Sequence, residues 1–370
     1  MIDFLIKAVI FILIFSTIII VHEGGHFILA KKNGIAVREF TLGMGPRIAG
    51  IEYDGTLFSI NLLPFGGACV FEGMFPEDED EEEEDEEEPE REDDISDRVI
   101  TGRKFGEADV WGRLATVLAG PVFNFILAFF LSLFVIGSIG YDPPCIAGTV
   151  EGYPAYEAGL RAGDMIKSLN GRKIVVYRDI SAYTLFYRDK KTIVEYERDG
   201  KLYKTVMTPL YDSEYDRYLF GIMGSVGRIK ANPLQVIRYS LHEVYYWIDV
   251  TYKSLCMIPQ GRVTKDDVAG PVGMAQAVGE TYDESKADGV FYIWLNMVNL
   301  TILISANLGV MNLLPIPALD GGRIVFLLIE IIRKKPVDPE KEQMVHFAGI
   351  MVLMVFMVWV MYNDITRFFR

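Results

Sequence analysis

Phe4-Leu-Ile-Lys7-Ala-Val-Ile-Phe-Ile-Leu-Ile-Phe-Ser-Thr-Ile-Ile-Ile-Val-His22-Glu23-Gly24-Gly25-His26-Phe-Ile-Leu-Ala30 carries an HExxH pentad near the end of an apolar run. The run exceeds the about 20 helical residues needed to cross a bilayer. At 3.6 residues per turn, positions i and i+4 share a face. His22 and His26 can therefore offer two imidazoles to one tetrahedral metal, while Glu23 stands one step around as a general base. Such a pentad also arises by chance on amphipathic helices. Ionisable groups inside a span cost several kcal/mol, however, and persist where they pair, bind ions or do chemistry. Gly24 and Gly25 have two readings, close helix packing and room for substrate beside the metal.

The 370 residues are 51% hydrophobic, with a mean hydropathy of +0.22, as expected of a polytopic α-helical membrane protein. Four transmembrane helices are predicted: Phe4 to Ala30, Leu114 to Ile139, Val290 to about Leu319, and Met344 to Met361. None resembles a cleaved signal peptide, since removing the first would remove the pentad. Lys31, Lys32 and Arg38 follow span one, Arg103, Lys104 and Arg113 precede span two, and Arg333, Lys334 and Lys335 follow span three. These flanks read as cytoplasmic, which puts both termini outside. Arg367 and Arg370 oppose this but are fewer.

Glu77 to Asp94 holds sixteen acids and one arginine, a net −15 that equals the charge of the whole chain. Like charges at this density repel and bury nothing, so a solvated insertion in the first cytoplasmic loop is expected. Binding of a divalent cation or a basic partner is the other reading. Cys69, Cys145 and Cys256 are scattered without CxxC spacing, which points to neither a disulfide framework nor a cysteine metal site.

A catalytic zinc needs a third protein ligand. His242 and His346 are the remaining histidines, and both read as structural. The stronger candidate is Asp320, in Asn312-Leu-Leu-Pro315-Ile-Pro317-Ala-Leu-Asp320-Gly321-Gly322-Arg323. The prolines break the helix and the glycines permit unusual backbone angles, so the carboxylate can turn toward a site. Alternatively Asp320 caps a helix beginning at Gly321.

The HEGGH pentad and the Asn312 to Gly322 stretch together resemble the site-2 protease family of intramembrane zinc metalloproteases, in particular its bacterial RseP-like branch. Further pieces follow in order: Phe40-Thr-Leu-Gly43-Met-Gly45-Pro46, Ser59-Ile-Asn-Leu-Leu-Pro64-Phe-Gly66-Gly67, Ala119-Gly-Pro121-Val-Phe-Asn124, and Ala269-Gly-Pro271-Val-Gly273. The resemblance implies Zn2+ on His22, His26 and Asp320, with Glu23 as catalytic base. It also implies that Asn124 and Asn312 lie near the substrate or the catalytic centre, and that these two with Gly43 and Gly45 are the candidate substrate-binding residues. The chain departs from the family pattern at Gly24, at Ala68 to Glu72 and in the acidic tract.

Val37 to Leu42, Ile48 to Tyr53 and Thr56 to Leu63 read as strands around an Asp54-Gly55 turn. An apolar hairpin of this kind can offer a free edge, and the family resemblance implies that it is membrane-associated and holds substrate by strand addition; the other reading is an ordinary structural sheet. Ala155 to Gly171 resembles the signature of bacterial PDZ domains, with β-branched strand runs at Ile174 to Tyr177 and Thr192 to Tyr196. One such domain fits the length, and it would bind peptides or gate the site by bulk. Pro233 to Met257 has apolar residues at helical spacing, consistent with a helix lying on the outer membrane face.

The expected organisation is 1–32 span one, 33–75 hairpin region, 76–98 acidic insertion, 99–140 span two, 145–215 extracytoplasmic PDZ domain, 230–285 amphipathic linker helices, 290–333 span three and 342–365 span four. The expected activity is hydrolysis, in the bacterial cell membrane, of single-span proteins already trimmed by an upstream site-1 protease, including signalling proteins and remnant signal peptides. Lipid is the other expected partner, and nucleic acid is not one. Two rivals remain, a non-catalytic PDZ-bearing scaffold and a membrane-anchored zinc protease cutting outside the bilayer.

Overall fold

Helix α1 (Ile2–Lys32) ends in a left-handed glycine. Gly34 has φ +68°, its N–H bonds the Lys31 carbonyl at 3.1 Å, and the Ile35 N–H bonds the Ala30 carbonyl at 2.9 Å. This cap satisfies carbonyls that the helix leaves open, and it buries Ile35 against Ala30. The computed structural model describes residues 2–74, 101–264 and 268–368, so the acidic tract lies outside the described residues.

In chain order α1 is followed by β1 (Val37–Tyr53), β2 (Thr56–Phe71), α2 (Val110–Ile139), α3 (Pro154–Glu157), β3 (Met165–Leu169), β4 (Arg172–Lys173) and α4 (Arg178–Phe186). Then come β5 (Thr192–Arg198), β6 (Lys201–Met207), β7 (Leu210–Asp212), β8 (Arg217–Leu219) and α5 (Pro233–Met257), and finally α6 (Pro271–Ser285), α7 (Val290–Asn312), α8 (Asp320–Arg333) and α9 (Pro339–Phe368). Among the described residues α1, α2, α7 and α9 are long and apolar enough to cross a membrane, and the chain is polytopic. The described residues form two units, Met1–Ala128 with Gly261–Arg370, and Phe129–Gln260.

In the first unit, Phe11, Ile14 and Ile18 of α1 pack with Val278 and Tyr282 of α6 and Met297 of α7. The Asp364 carboxylate of α9 accepts the Gly270 and Gly273 N–H groups at 3.3 and 2.8 Å. A negative charge at the start of α6 satisfies donors that the helix cannot. The Ala269 to Gly273 motif is thereby an anchoring point for α9.

The hairpin departs from the three short strands expected. β1 and β2 are antiparallel and continuous, and Gly43, Gly45 and Gly66, with φ of +90°, +86° and +77°, carry the sharp bends that would otherwise end them. The turn is Asp54-Gly55, both at positive φ, as a two-residue hairpin prefers. Thr41 is opposite both Ser59 and Ala68, so the start of β1 lies between residues 57–60 and 67–71. The 67–71 segment is an edge, with no second strand partner among the described residues.

Span three is shorter than expected. α7 stops at Asn312, the chain runs irregularly through Pro315 and Pro317, and α8 starts at Asp320 as a separate helix. Proline at 315 and 317 removes the N–H groups that would extend α7. Ala318 takes φ +83°, and its N–H donates to His346 Nδ1 at 3.0 Å. His346 is thus structural. Gly322 and Gly349 let the break pack closely, since a Cβ on either would come within 2.6 Å of the Ile316 or Pro317 carbonyl oxygen.

The second unit holds an antiparallel sheet of order β4-β3-β5-β6 and the small β7-β8 pair. Ile166, Leu169, Val194 and Phe220 are among its buried core. The Asn170-Gly171 turn joins β3 to β4 with both residues at positive φ. Ile174 to Tyr177 is not a strand. The Val175 and Val176 N–H groups donate to the Asp179 carboxylate at 2.8 and 3.0 Å, which turns the chain into α4. The unit also continues past 215, because β8 and the bridges from Ile222 and Ser225 to Thr149 and Ile146 complete it. α5 turns charge toward the domain: His242 meets Asp179 at 3.1 Å, Glu243 pairs with Arg178, and Asp249 meets Arg172 at 3.3 Å. Its Leu234, Ile237, Leu241, Tyr245 and Tyr252 are exposed, forming an apolar stripe at helical spacing.

Candidate metal centre

α1 supplies His22 and His26 on one face, and the rings stand at 90° with centroids 4.9 Å apart. The first residue of α8 supplies Asp320. Its Oδ2 lies 3.3 Å from His22 Nε2 and 3.4 Å from His26 Nε2. One donor atom from each of the three residues lies within 4.8 Å of the others, and both histidines are buried. Asp320 Oδ2 is itself buried without a hydrogen-bond partner. A buried carboxylate oxygen left bare between two imidazole nitrogens is costly unless a cation joins them. Two nitrogens and one carboxylate oxygen also make the donor set of an open catalytic Zn2+ site, so these residues fit that ion.

α2 forms the wall behind the histidines. The Thr116 carbonyl lies 2.9 Å from His26 Nδ1, and the Asn124 amide lies 3.2 Å from His22 Nδ1. Gly120 sits between them, where a Cβ would come 2.8 Å from His22 Cε1 and nearer still to His26 Nε2. Gly25 of the pentad serves packing: a Cβ there would meet the Ala119 carbonyl oxygen at 2.6 Å. Gly24 has nothing within 4 Å of that position.

A cavity of about 350 Å³ opens on this cluster. His22, Glu23, His26 and Asp320 line it, with Asn312, Arg323 and the edge segment Gly67 to Phe71. Glu23 and Cys69 line this cavity together. Asn312 Nδ2 lies 3.1 Å from His22 Nε2. Asn124, fully buried, and Gly43 and Gly45 are not among the described residues that form the cavity wall. The sequence reading missed the contributions of Thr116, Gly120 and Arg323. A main-chain carbonyl leaves no mark in the sequence, but Gly120 and Arg323 adjoin the motifs at Pro121 and Asp320 and could have been found there.

Fold and cluster define a multi-pass membrane protein with a metallopeptidase-type centre. A family model described as Peptidase family M50 matches residues 10–356. The chain belongs to that family, the site-2 proteases, and is a metalloprotease by that membership. It is 31% identical to the regulator of sigma-W protease RasP of Bacillus subtilis, over 97% of this chain and 98% of the relative. It is 33% identical to a putative zinc metalloprotease of Clostridium acetobutylicum, over 97% of each. Against the zinc metalloprotease RasP of Geobacillus kaustophilus, identity is 30% over the full length of both.

Proposed function

We propose that this zinc metalloprotease cuts within the transmembrane segments of single-span membrane proteins, with His22, His26 and Asp320 as zinc ligands and Glu23 as general base. The observation that carries this is the convergence of the three donor atoms around the orphaned Asp320 Oδ2. When bound, Zn2+ would supply Lewis acidity, activating water near neutral pH and polarising the scissile carbonyl. Glu23 takes the proton from the attacking water and returns it to the leaving amine nitrogen. The Cys69 N–H orients the Glu23 carboxylate. The bare edge at Gly67 to Phe71 receives the substrate as an added strand, which unwinds its helix and exposes the amide to be cut. Asn312, on the cavity wall, steadies the substrate carbonyl.

The exposed apolar side chains of the hairpin, including Ile48, Ile51, Ile60 and Leu62, support its placement in lipid. The lysine and arginine clusters support cytoplasmic flanks for the hairpin, with the termini and the sheet unit outside. The resemblance of Ala155 to Gly171 to a PDZ signature supports a PDZ domain there, which would bind a peptide end or exclude substrates that still carry a bulky outer domain. Trimmed signalling proteins and remnant signal peptides meet that requirement. The name of the Bacillus subtilis relative, a regulator of sigma-W, agrees with the first class.

The test uses the full chain in proteoliposomes with a labelled single-span substrate. Glu23→Gln is expected to slow cleavage by about 10²–10⁴-fold, and undiminished cleavage would sink the mechanism. Mass spectrometry of the products should place the cut inside the substrate's apolar span. A cut well outside it favours a protease acting beyond the bilayer.

A further inference from the structure

The amide of Asn124 has no place in the mechanism above, yet it is fully buried and its Oδ1 has no hydrogen-bond partner. Its Nδ2 lies 3.2 Å from His22 Nδ1, while Asn312 Nδ2 lies 3.1 Å from the other nitrogen of the same ring. A neutral imidazole has one acceptor nitrogen. It cannot accept from both amides. The nitrogen that must keep its lone pair for a metal is Nε2, the atom facing Asp320. The proton therefore sits on Nδ1, and the group within its reach must present an oxygen. Oxygen and nitrogen of an amide exchange by a half-turn of the side-chain end without change of shape.

We infer that Asn124 is a positioning residue for His22: its side-chain oxygen accepts the Nδ1–H, fixing the tautomer and ring angle that leave Nε2 free for the metal. This rests on His22 being a zinc ligand. The neighbouring histidine shows the same device, with His26 Nδ1 at 2.9 Å from the Thr116 carbonyl oxygen. Thr116, Gly120 and Asn124 follow one another at four-residue spacing on α2, facing His26 and His22 in reverse order. One helix face thus supplies an acceptor, a clearance and a second acceptor to the two imidazoles. The stripe is held in place by Ser305 of α7, whose hydroxyl donates to the Asn124 main-chain carbonyl at 2.8 Å. Outer acceptors of this kind orient a ligating histidine and raise its basicity.

The experiment measures Zn2+ affinity of the full-length protein in nanodiscs by competition with a fluorescent chelator. Asn124→Leu, which has no acceptor, is expected to weaken zinc binding by about 10–100-fold. Asn124→Asp, which can only accept, should stay within about threefold of the parent or bind more tightly. Asn124→Asp weakening as much as Asn124→Leu would overturn the acceptor role, because an amide needed as donor predicts that result. Should Asn124→Leu not fold, a loss of tenfold or more in Asn124→Asp still overturns it. His22→Ala separates the two levels. If it loses zinc while Asn124→Leu binds normally, Asn124 does not position the ligand; if it binds zinc normally, the ligand assignment itself fails.

Discussion

Asp320 Oδ2 lies 3.3 Å from His22 Nε2 with no hydrogen bond of its own, although the two residues belong to different helices, α8 and α1. The bare oxygen needs a cation to offset its burial. Asp320→Asn keeps the shape of the side chain but removes its charge. It should purify with zinc well below one equivalent by elemental analysis and cleave at least about 10²-fold more slowly, since even outer-shell losses reach that size. A full zinc complement in the variant contradicts the assignment.

Gly24 and Gly25 should respond in opposite ways to the same added methyl. Gly25→Ala forces a Cβ to 2.6 Å from the Ala119 carbonyl oxygen, whereas Gly24→Ala meets nothing within 4 Å. Overpacking of that kind costs about 1–3 kcal/mol. Gly25→Ala should therefore lower the melting temperature in detergent and reduce activity. Gly24→Ala should leave both near the parent value or gain slightly from better helix propensity. Equal effects at the two positions would show that the α1 to α2 contact is misplaced.

Cys69 offers its main chain, not its thiol, to the proposed chemistry. Cys69→Ala keeps the N–H proposed to orient Glu23 and should cleave within about threefold of the parent, while Cys69→Pro removes that N–H and disturbs the edge. A loss of roughly 10²-fold is expected for the proline variant, the scale of a misplaced reacting group. Zinc content should be unchanged in both. Parent-like cleavage by Cys69→Pro excludes this edge as the substrate strand.

The sheet unit should weaken in acid through Asp179. Burial acts to raise the pKa of Asp179, but the hydrogen bond from His242, its charge and the Val175 and Val176 N–H groups outweigh burial and hold it below 3.8. A depressed carboxylate pKa contributes stability that is fully present above the unfolded value of 3.8 and is lost as pH falls through the lower folded value. Thermal melts of the full chain should show this acid loss in the parent. Asp179→Asn should start less stable at pH 7 and lack that component. Identical pH dependence in parent and variant removes Asp179 as the cause.

The pentad, the four apolar runs and the proline-broken Asp320 stretch were legible because each is a local pattern. Periodicity, run length and helix breaking all act within a few residues of the group concerned. The expected ends of the strands and of span three were less accurate. Gly43, Gly45 and Gly66 read as stops but instead act as bends, since a positive φ redirects a strand without ending its pairing. Pro315 and Pro317 ended α7 earlier than the apolar run alone implied.

By itself, the sequence determined that this is a polytopic membrane protein with an HExxH pentad, half of a candidate metal site, on its first helix, since hydrophobic length and i, i+4 spacing are properties of a single element. Only the tertiary structure decided that Asp320 meets both histidines, that Gly67 to Phe71 lines the same cavity with no second strand partner among the described residues, and that Asn124, expected near the substrate or the catalytic centre, sits behind His22. The physical reason is that a ligand set, a free strand edge and the acceptor for an imidazole proton are relations between elements. Packing of α1 against α2, and of the broken segment before α8 against α9, is what creates them.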